Sequence, residues 1–130
     1  MPQHEPWTLR LVAEHAAQQP IDYPSYVKML ADALSGAAPG DVLSAIAQEP
    51  GLVAEPWMNA HLAGLAEFLA QRAGLDTPAW ALAETRFLPE PKFFGGEAMH
   101  AMLLTQTPSC MRRRNLFCGP VVMQSIRGRP

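Results

Sequence analysis

Apolar residues recur every three or four positions along most of this chain, and that spacing predicts amphipathic α-helices. In the first predicted helix, residues 5–20, Trp7, Leu11 and His15 share one face, and Pro20 ends the pattern. The same spacing recurs in four more segments, which are residues 22–36, 41–48, 56–75 and 96–106. The pattern therefore predicts a chain that is helical over most of its length.

Residues with known capping roles set the expected ends of several helices. Asp41 is placed to cap the third helix, because its side chain can accept hydrogen bonds from free backbone amides. Gly74 is placed to end the fourth helix. Thr-Pro pairs at 77–78 and 107–108 each predict a further helix start. The helix that opens at the second pair would contain all three consecutive arginines of the segment CMRRRN.

Proline and glycine separate the predicted helices, and one connection has a character of its own. Residues 86–96 (RFLPEPKFFGG) contain two prolines, two glycines and three phenylalanines, which predicts an extended segment wrapped onto the core. The chain after residue 115 fits either a short strand pair or a docked tail. The expected fold is all-α: one compact domain of six or seven helices over residues 1–118 with proline-rich connections, then a short irregular or extended tail over residues 119–130.

Size and composition agree with a folded domain. A chain of 130 residues with 48 % hydrophobic and 17 % charged residues is long and apolar enough to bury its own core. The two cysteines, Cys110 and Cys118, form no disulfide framework, which is typical of a reducing compartment; a single Cys110–Cys118 bridge is the alternative. The N-terminal residues lack the pattern of a secretory signal, and no apolar run reaches the length of a membrane span. We therefore expect a cytoplasmic protein with no membrane contact.

Charge is divided unevenly along the chain. Residues 1–97 hold all twelve acids and five basic residues, a balance of −7, whereas residues 98–130 hold five arginines and no acid. This separation is typical of a chain whose basic end binds a partner. The alternative is that the basic end packs against the acidic part of the same domain.

The residues that could carry catalysis form no recognisable motif. The four histidines, His4, His15, His61 and His100, lie in separate segments and do not pair with one another at metal-ligand spacing. Neighbouring cations can lower a thiol pKa, but Cys110 lacks a local base, so a small buried cysteine is the preferred interpretation. Phosphate-loop, dinucleotide-binding, zinc-protease and serine-hydrolase patterns are absent from the sequence. We expect no catalytic residue, cofactor or metal; an enzyme would need a pocket that joins His61 or His100 to Cys110 or a carboxylate.

The run Arg112, Arg113 and Arg114 is the clearest functional clue. Successive helical residues point about 100° apart, so three arginines in a row cannot all face one groove. One of them is expected to pair with an acid of the domain, such as Glu84 or Glu90, and the other two to stay exposed. Guanidinium groups bind carboxylates and phosphates through paired hydrogen bonds. The predicted partner-binding residues are Arg112, Arg113, Arg114, Phe117, Arg127 and Arg129.

Three short motifs in residues 60–118 form a series. Pro78 and Trp80 make a P-x-W start, residues 86–93 read RFLPEPKF, and residues 107–117 read TPSCMRRRNLF. This series resembles a loosely characterised family of small bacterial helical proteins. The resemblance implies a domain that stands alone or behind a helix-turn-helix regulator, near genes arranged like toxin–antitoxin pairs, and it implies no catalytic residue. The sequence after residue 117 departs from the polar helix that is typical of that family.

Two functions fit these observations beside the enzyme alternative. The first is a non-enzymatic module that binds a protein partner, such as a cognate toxin or a regulator, through the arginines and nearby aromatic residues. The second is a nucleic-acid-binding accessory protein that uses the same arginines, although the acidic balance of residues 1–97 would repel a phosphate backbone. Apolar residues 120–123 (PVVM) indicate a homodimer as a further alternative. The structural alternative is that the arginine stems cover apolar surface while their charged heads stay in water.

Overall fold

A computed structural model describes residues 6–120, and these residues form an all-α domain, as the sequence predicts. Two short strands and four single 3₁₀ turns connect the helices. The helices are α1 (Leu9–Gln18), α2 (Tyr23–Ala33), α3 (Pro39–Ile46), α4 (Pro56–Ala73), α5 (His100–Gln106) and α6 (Ser109–Arg112). The 3₁₀ turns are Pro20–Asp22, Ala79–Leu82, Glu84–Arg86 and Glu97–Met99.

Helix α4 is the centre of the domain. Twelve of its eighteen residues are buried, and it packs against α1, α3, α6, two of the 3₁₀ turns and the second strand. A helix that is enclosed on nearly all sides needs small or apolar residues around its whole circumference. Residues 61–70 (HLAGLAEFLA) meet this need except at His61 and Glu67. Gly74 ends α4 in the left-handed conformation (φ 73°), as predicted, because glycine has no side chain to clash there.

The third helix begins earlier than its expected cap. The structure starts α3 at Pro39, with Ala38 in the cap position, so the prediction that Asp41 caps this helix is wrong. Proline is well suited to a first helical position, since it has no amide hydrogen to leave unpaired. Asp41 lies in the first turn instead, where its negative charge faces the positive end of the helix dipole.

The Thr-Pro pair at 77–78 does not open an α-helix. The chain forms two 3₁₀ turns there, and Ala83 between them is extended (φ −65°, ψ 147°). Tertiary contacts fix this shape, because the Trp80 indole N–H donates to the carbonyl of Ile46 (2.9 Å) and Arg86 reaches the carbonyl of Pro50 (2.6 Å). Local start signals favour a helix at this position, but these long-range bonds require both side chains to point inward.

The extended connection contributes a strand of two residues. Strand β1 (Lys92–Phe93) pairs in parallel with β2 (Leu116–Phe117), in the register Lys92 opposite Leu116. The rings of Phe93 and Phe117 stack with their centroids 4.7 Å apart, and His100 covers Phe93 at 3.9 Å. The segment around residue 116 is therefore one member of a strand pair, and this pair ties the end of the described chain to the domain.

None of the helices in residues 6–120 combines the length and the apolar character that a membrane span requires.

Candidate partner-binding surface at the basic end

The three consecutive arginines do not share one helix or one environment. Helix α6 ends at Arg112, and the chain then turns through Arg113 and Arg114 to Asn115, which adopts a left-handed conformation (φ 66°). The prediction that one helix contains all three arginines is therefore wrong. Arg112 is exposed, the Arg113 side chain is half-exposed (48 %), and Arg114 is completely buried (0 %).

The buried carboxylate of Glu67 organises this arrangement. Arg114 Nη1 donates to Glu67 Oε1 at 2.6 Å, and Arg113 forms an ion pair with the other oxygen of the same carboxylate. Glu67 is only 2 % exposed. Charged groups lose favourable contacts with water on burial, and here paired charges and short hydrogen bonds replace those contacts.

Arg114 also holds two backbone segments together. Its guanidinium donates to the carbonyls of Cys110 and Ala81, each at 2.7 Å, and lies 4.7 Å from the centre of the Phe87 ring. These contacts join α6, α4 and the first 3₁₀ turn after α4. A guanidinium that is enclosed in this way has no surface to offer a partner, so the structure removes Arg114 from the predicted partner-binding set.

The expected acid partners, Glu84 and Glu90, do not take part in this cluster. Both are exposed, and neither carboxylate forms an ion pair within residues 6–120. The sequence contained one signal for the real partner, because Glu67 is the only charged residue among the apolar positions of α4 before Arg72. A single acid inside such a segment needs a buried cation, and Arg114 supplies it from 47 residues away.

Phe117 is a core residue, and the tail arginines are outside the described part of the chain. The Phe117 ring is 9 % exposed and packs on Phe93, so its predicted role in partner contact has little surface to act through. Arg127 and Arg129, the two other predicted contact residues, lie beyond residue 120. The accessible cations of the basic end, within residues 6–120, are thus Arg112 and the outer part of Arg113.

Arg112 differs from its two neighbours in having no internal partner. Within residues 6–120 its guanidinium makes no hydrogen bond, ion pair or ring contact. The one carboxylate near the run, Glu67, is already shared by Arg113 and Arg114. The run therefore carries more positive charge than the described domain neutralises, and that excess lies at the surface.

A second buried arginine, Arg86, was not singled out by the charge pattern. Its guanidinium donates to the carbonyls of Pro50 (2.6 Å) and Asn59 (3.4 Å) and lies 4.9 Å from the centre of the Trp80 ring. Its Nη2 is 3.7 Å from the exposed carboxylate of Glu49. Burial lowers the pKa of Arg86, and Glu49 partly opposes that shift.

Cys110 is a small buried residue, as expected from the sequence. It is 1 % exposed, and burial raises the pKa of its thiol to about 11, with a smaller contribution from Glu67 and partial opposition from Arg114. Burial also raises the pKa of the Cys118 thiol to about 11. Both cysteines are free thiols, so no bridge joins them.

Three of the histidines lie among aromatic side chains. The buried His61 has its Nδ1 2.6 Å from the hydroxyl of Tyr23, and burial raises the pKa of that tyrosine well above its usual value. His15 lies between Trp7 and Tyr26, and His100 stacks on Phe93. Within the described part of the chain, no group of three or more His, Cys, Asp or Glu side chains could hold a metal ion.

No family model, no curated protein and no solved structure matches the chain. The functional conclusion therefore rests on the chain's own residues.

Proposed function

We propose that this protein is a non-enzymatic cytoplasmic interaction module that binds an acidic segment of a protein partner through the accessible cations of its basic end, Arg112 and the outer part of Arg113. The observation that carries this proposal is the exposed guanidinium of Arg112, which has no partner within residues 6–120, next in sequence to two arginines that share the carboxylate of Glu67. Exposed positive charge that the domain does not neutralise is available to an external anion.

A carboxylate is the anion that fits this surface best. Guanidinium groups bind carboxylates through two parallel hydrogen bonds, which gives the contact direction as well as attraction. Arg113 is held in place by Glu67, so it is already oriented, while Arg112 is free to adjust to a ligand. Two neighbouring aspartates or glutamates on a partner would meet both groups.

A protein partner is favoured over nucleic acid because the accessible positive charge of the basic end, within residues 6–120, is confined to two neighbouring arginines. Residues 1–97 carry a balance of −7, and a phosphate backbone would approach that acidic part of the domain wherever it extended beyond the two arginines. Nucleic-acid binders usually present a basic face that contacts several phosphates. The resemblance noted in the sequence gives the proposal a more specific form, in which the partner is a cognate toxin or a regulator.

The test is a capture experiment with single-residue variants. The tagged full chain is incubated with host lysate with and without nuclease treatment, and the captured proteins are identified. The candidate is then purified and its affinity is measured. Arg112→Gln removes the exposed charge and is expected to weaken binding by about two- to fivefold, the range for the loss of one exposed ion pair. A triple Arg112–Arg114 variant is unsuitable, since loss of Arg114 leaves the Glu67 carboxylate buried without its main partner.

Lys28→Gln is the matched control. Lys28 is an exposed cation on α2 that, within residues 6–120, pairs only with Asp32 in the next turn (3.0 Å). Its loss therefore changes net charge equally and leaves the basic end intact. Unchanged binding by Lys28→Gln and weaker binding by Arg112→Gln would support the proposal. Equal affinity of both variants, or capture that disappears on nuclease treatment, would contradict it, and the second result would favour the nucleic-acid alternative.

A further inference from the structure

A groove of about 420 Å³ lies between α3 and the turn that follows α4. We call it the Trp80 groove. Its walls come from three parts of the chain: Leu43 on α3, Ala47 and Glu49 after that helix, and Asp76, Ala79 and Trp80 after α4. None of these residues belongs to the basic end, so the groove is a separate feature of the surface.

Trp80 forms a wall that is fixed in position. Its indole N–H donates to the carbonyl of Ile46 at 2.9 Å, and the guanidinium of Arg86 lies 4.9 Å from the ring centre. Arg86 itself is fully buried and bonded to the carbonyl of Pro50. A ring that is held by both contacts loses little conformational freedom when a ligand packs on it, which favours binding.

The rim of the groove carries excess negative charge. Glu49 and Asp76 are both exposed, and only Glu49 has a cation near it, the buried Arg86 at 3.7 Å. The Asp76 carboxylate has no hydrogen bond or ion pair within residues 6–120. The rim therefore carries two carboxylates, and only that of Glu49 lies near a cation.

Exposed apolar surface accompanies these acids. The Leu43 side chain is 47 % exposed on the groove wall, and Leu82, in the same 3₁₀ turn as Trp80, is 54 % exposed. Apolar surface beside an indole and two acids suits a ligand in which a cation and an apolar side chain lie close together. An acidic segment would be repelled, and a purely apolar one would leave the carboxylates without partners.

We propose that the Trp80 groove binds a basic peptide segment in which arginine or lysine alternates with leucine-like residues. The cations pair with Glu49 and Asp76, and an apolar side chain packs between Leu43 and Trp80. This occupant has the opposite charge to the one proposed for the basic end, so the two surfaces bind different partners. Failure of one proposal leaves the other intact.

The test uses two synthetic pentapeptides and the full chain labelled with ¹⁵N. Acetyl-Arg-Leu-Arg-Leu-Arg-amide is expected to shift the Trp80 indole signal and the backbone amides of Leu43, Asp76 and Ala79. Acetyl-Glu-Leu-Glu-Leu-Glu-amide, which has the same length and leucines, is expected to leave them unchanged. Asp76→Asn should weaken binding of the basic peptide roughly two- to fivefold, the range for one exposed ion pair. Added salt should lower the affinity further.

Asp22→Asn is the control for charge alone, because Asp22 is an exposed acid in the turn between α1 and α2 and its side chain caps neither element. It should bind the basic peptide like the unaltered chain. Leu43→Ala, which keeps both carboxylates, should also weaken binding. The proposal is overturned if shifts scatter over acidic positions outside the groove, if Asp76→Asn and Asp22→Asn weaken binding equally, or if no shift appears at millimolar peptide.

Discussion

At the scale of single residues, the Glu67 carboxylate holds two guanidinium groups at once. Arg114 satisfies one oxygen from inside the core, and Arg113 reaches the other from the surface. Removing the carboxylate would leave Arg114 buried with a full positive charge and only neutral carbonyls near it. Such an uncompensated charge is much more costly than the loss of a surface ion pair.

Glu67→Gln is therefore expected to lower the free energy of unfolding by about 3 kcal/mol, the lower end of the range for breaking a buried pair. The measurement is urea denaturation followed by circular dichroism. Glu90→Gln serves as the control, since that glutamate is exposed and has no ion-pair partner within residues 6–120, and it should change stability by less than about 0.5 kcal/mol. Similar stability of the two variants would show that the cluster is not structural.

At the scale of elements, the contact between α4 and α6 depends on a residue without a side chain. A Cβ added to Gly64 would lie 2.4 Å from the sulfur of Met111 and 3.4 Å from the carbonyl of Cys110. Met111 is fully buried, so the sulfur has to move within a packed core. The close approach of these two helices brings the arginine run next to Glu67.

Gly64→Ala is expected to destabilise the domain by about 1 kcal/mol, at the low end for overpacking because the methionine side chain is flexible. Gly40→Ala, in the first turn of α3, is the matched control, because no atom lies within 4 Å of its added Cβ. Alanine should stabilise that position by about 0.4–1 kcal/mol, since it restricts the unfolded chain. Thermal unfolding of both variants checks the pair, and a gain of stability in both would refute the packing account.

At the scale of the whole molecule, residues 6–120 contain three buried or partly buried groups that resist losing a proton. Burial raises the pKa of Cys110 and of Cys118 from 9.0 to about 11, and it raises the pKa of Tyr23 well above 10.0. These groups ionise more readily in the unfolded chain than in the folded one. The folded state therefore holds more protons than the unfolded state once the pH exceeds 9.

The contribution of these groups to the free energy of unfolding is accordingly expected to be constant between about pH 7 and 8.5 and to fall between pH 9 and 11. Urea titrations at pH 8, 9 and 10 in the presence of a reductant measure this change. Cys110→Ala removes one of the three groups, so its stability should fall less steeply over the same interval. A profile that is flat or rising in the unaltered chain would contradict the prediction.

The location of the candidate site along the chain was predictable from the sequence, but which of its arginines are exposed and which is buried was not. The arginine run and the acid-free residues 98–130 identify the basic end from the sequence. The division of Arg112 to Arg114 into exposed, half-exposed and buried positions depends on Glu67 and on the carbonyl of Ala81, which are 47 and 33 residues from Arg114. Charge patterning along the chain does not contain that information, since any of the twelve acids could have supplied the partner.

The sequence by itself determined the helical class of this protein, the starts and ends of α1, α2 and α4 to within a few residues, and the uneven charge. These features follow from periodicity and end signals that act over a few neighbouring residues. Only the tertiary structure decided that the Thr-Pro segment at 77–78 forms 3₁₀ turns and that Arg86 and Arg114 are buried. The reason is that burial of a charge depends on partners from distant parts of the chain, and folding alone brings those partners together.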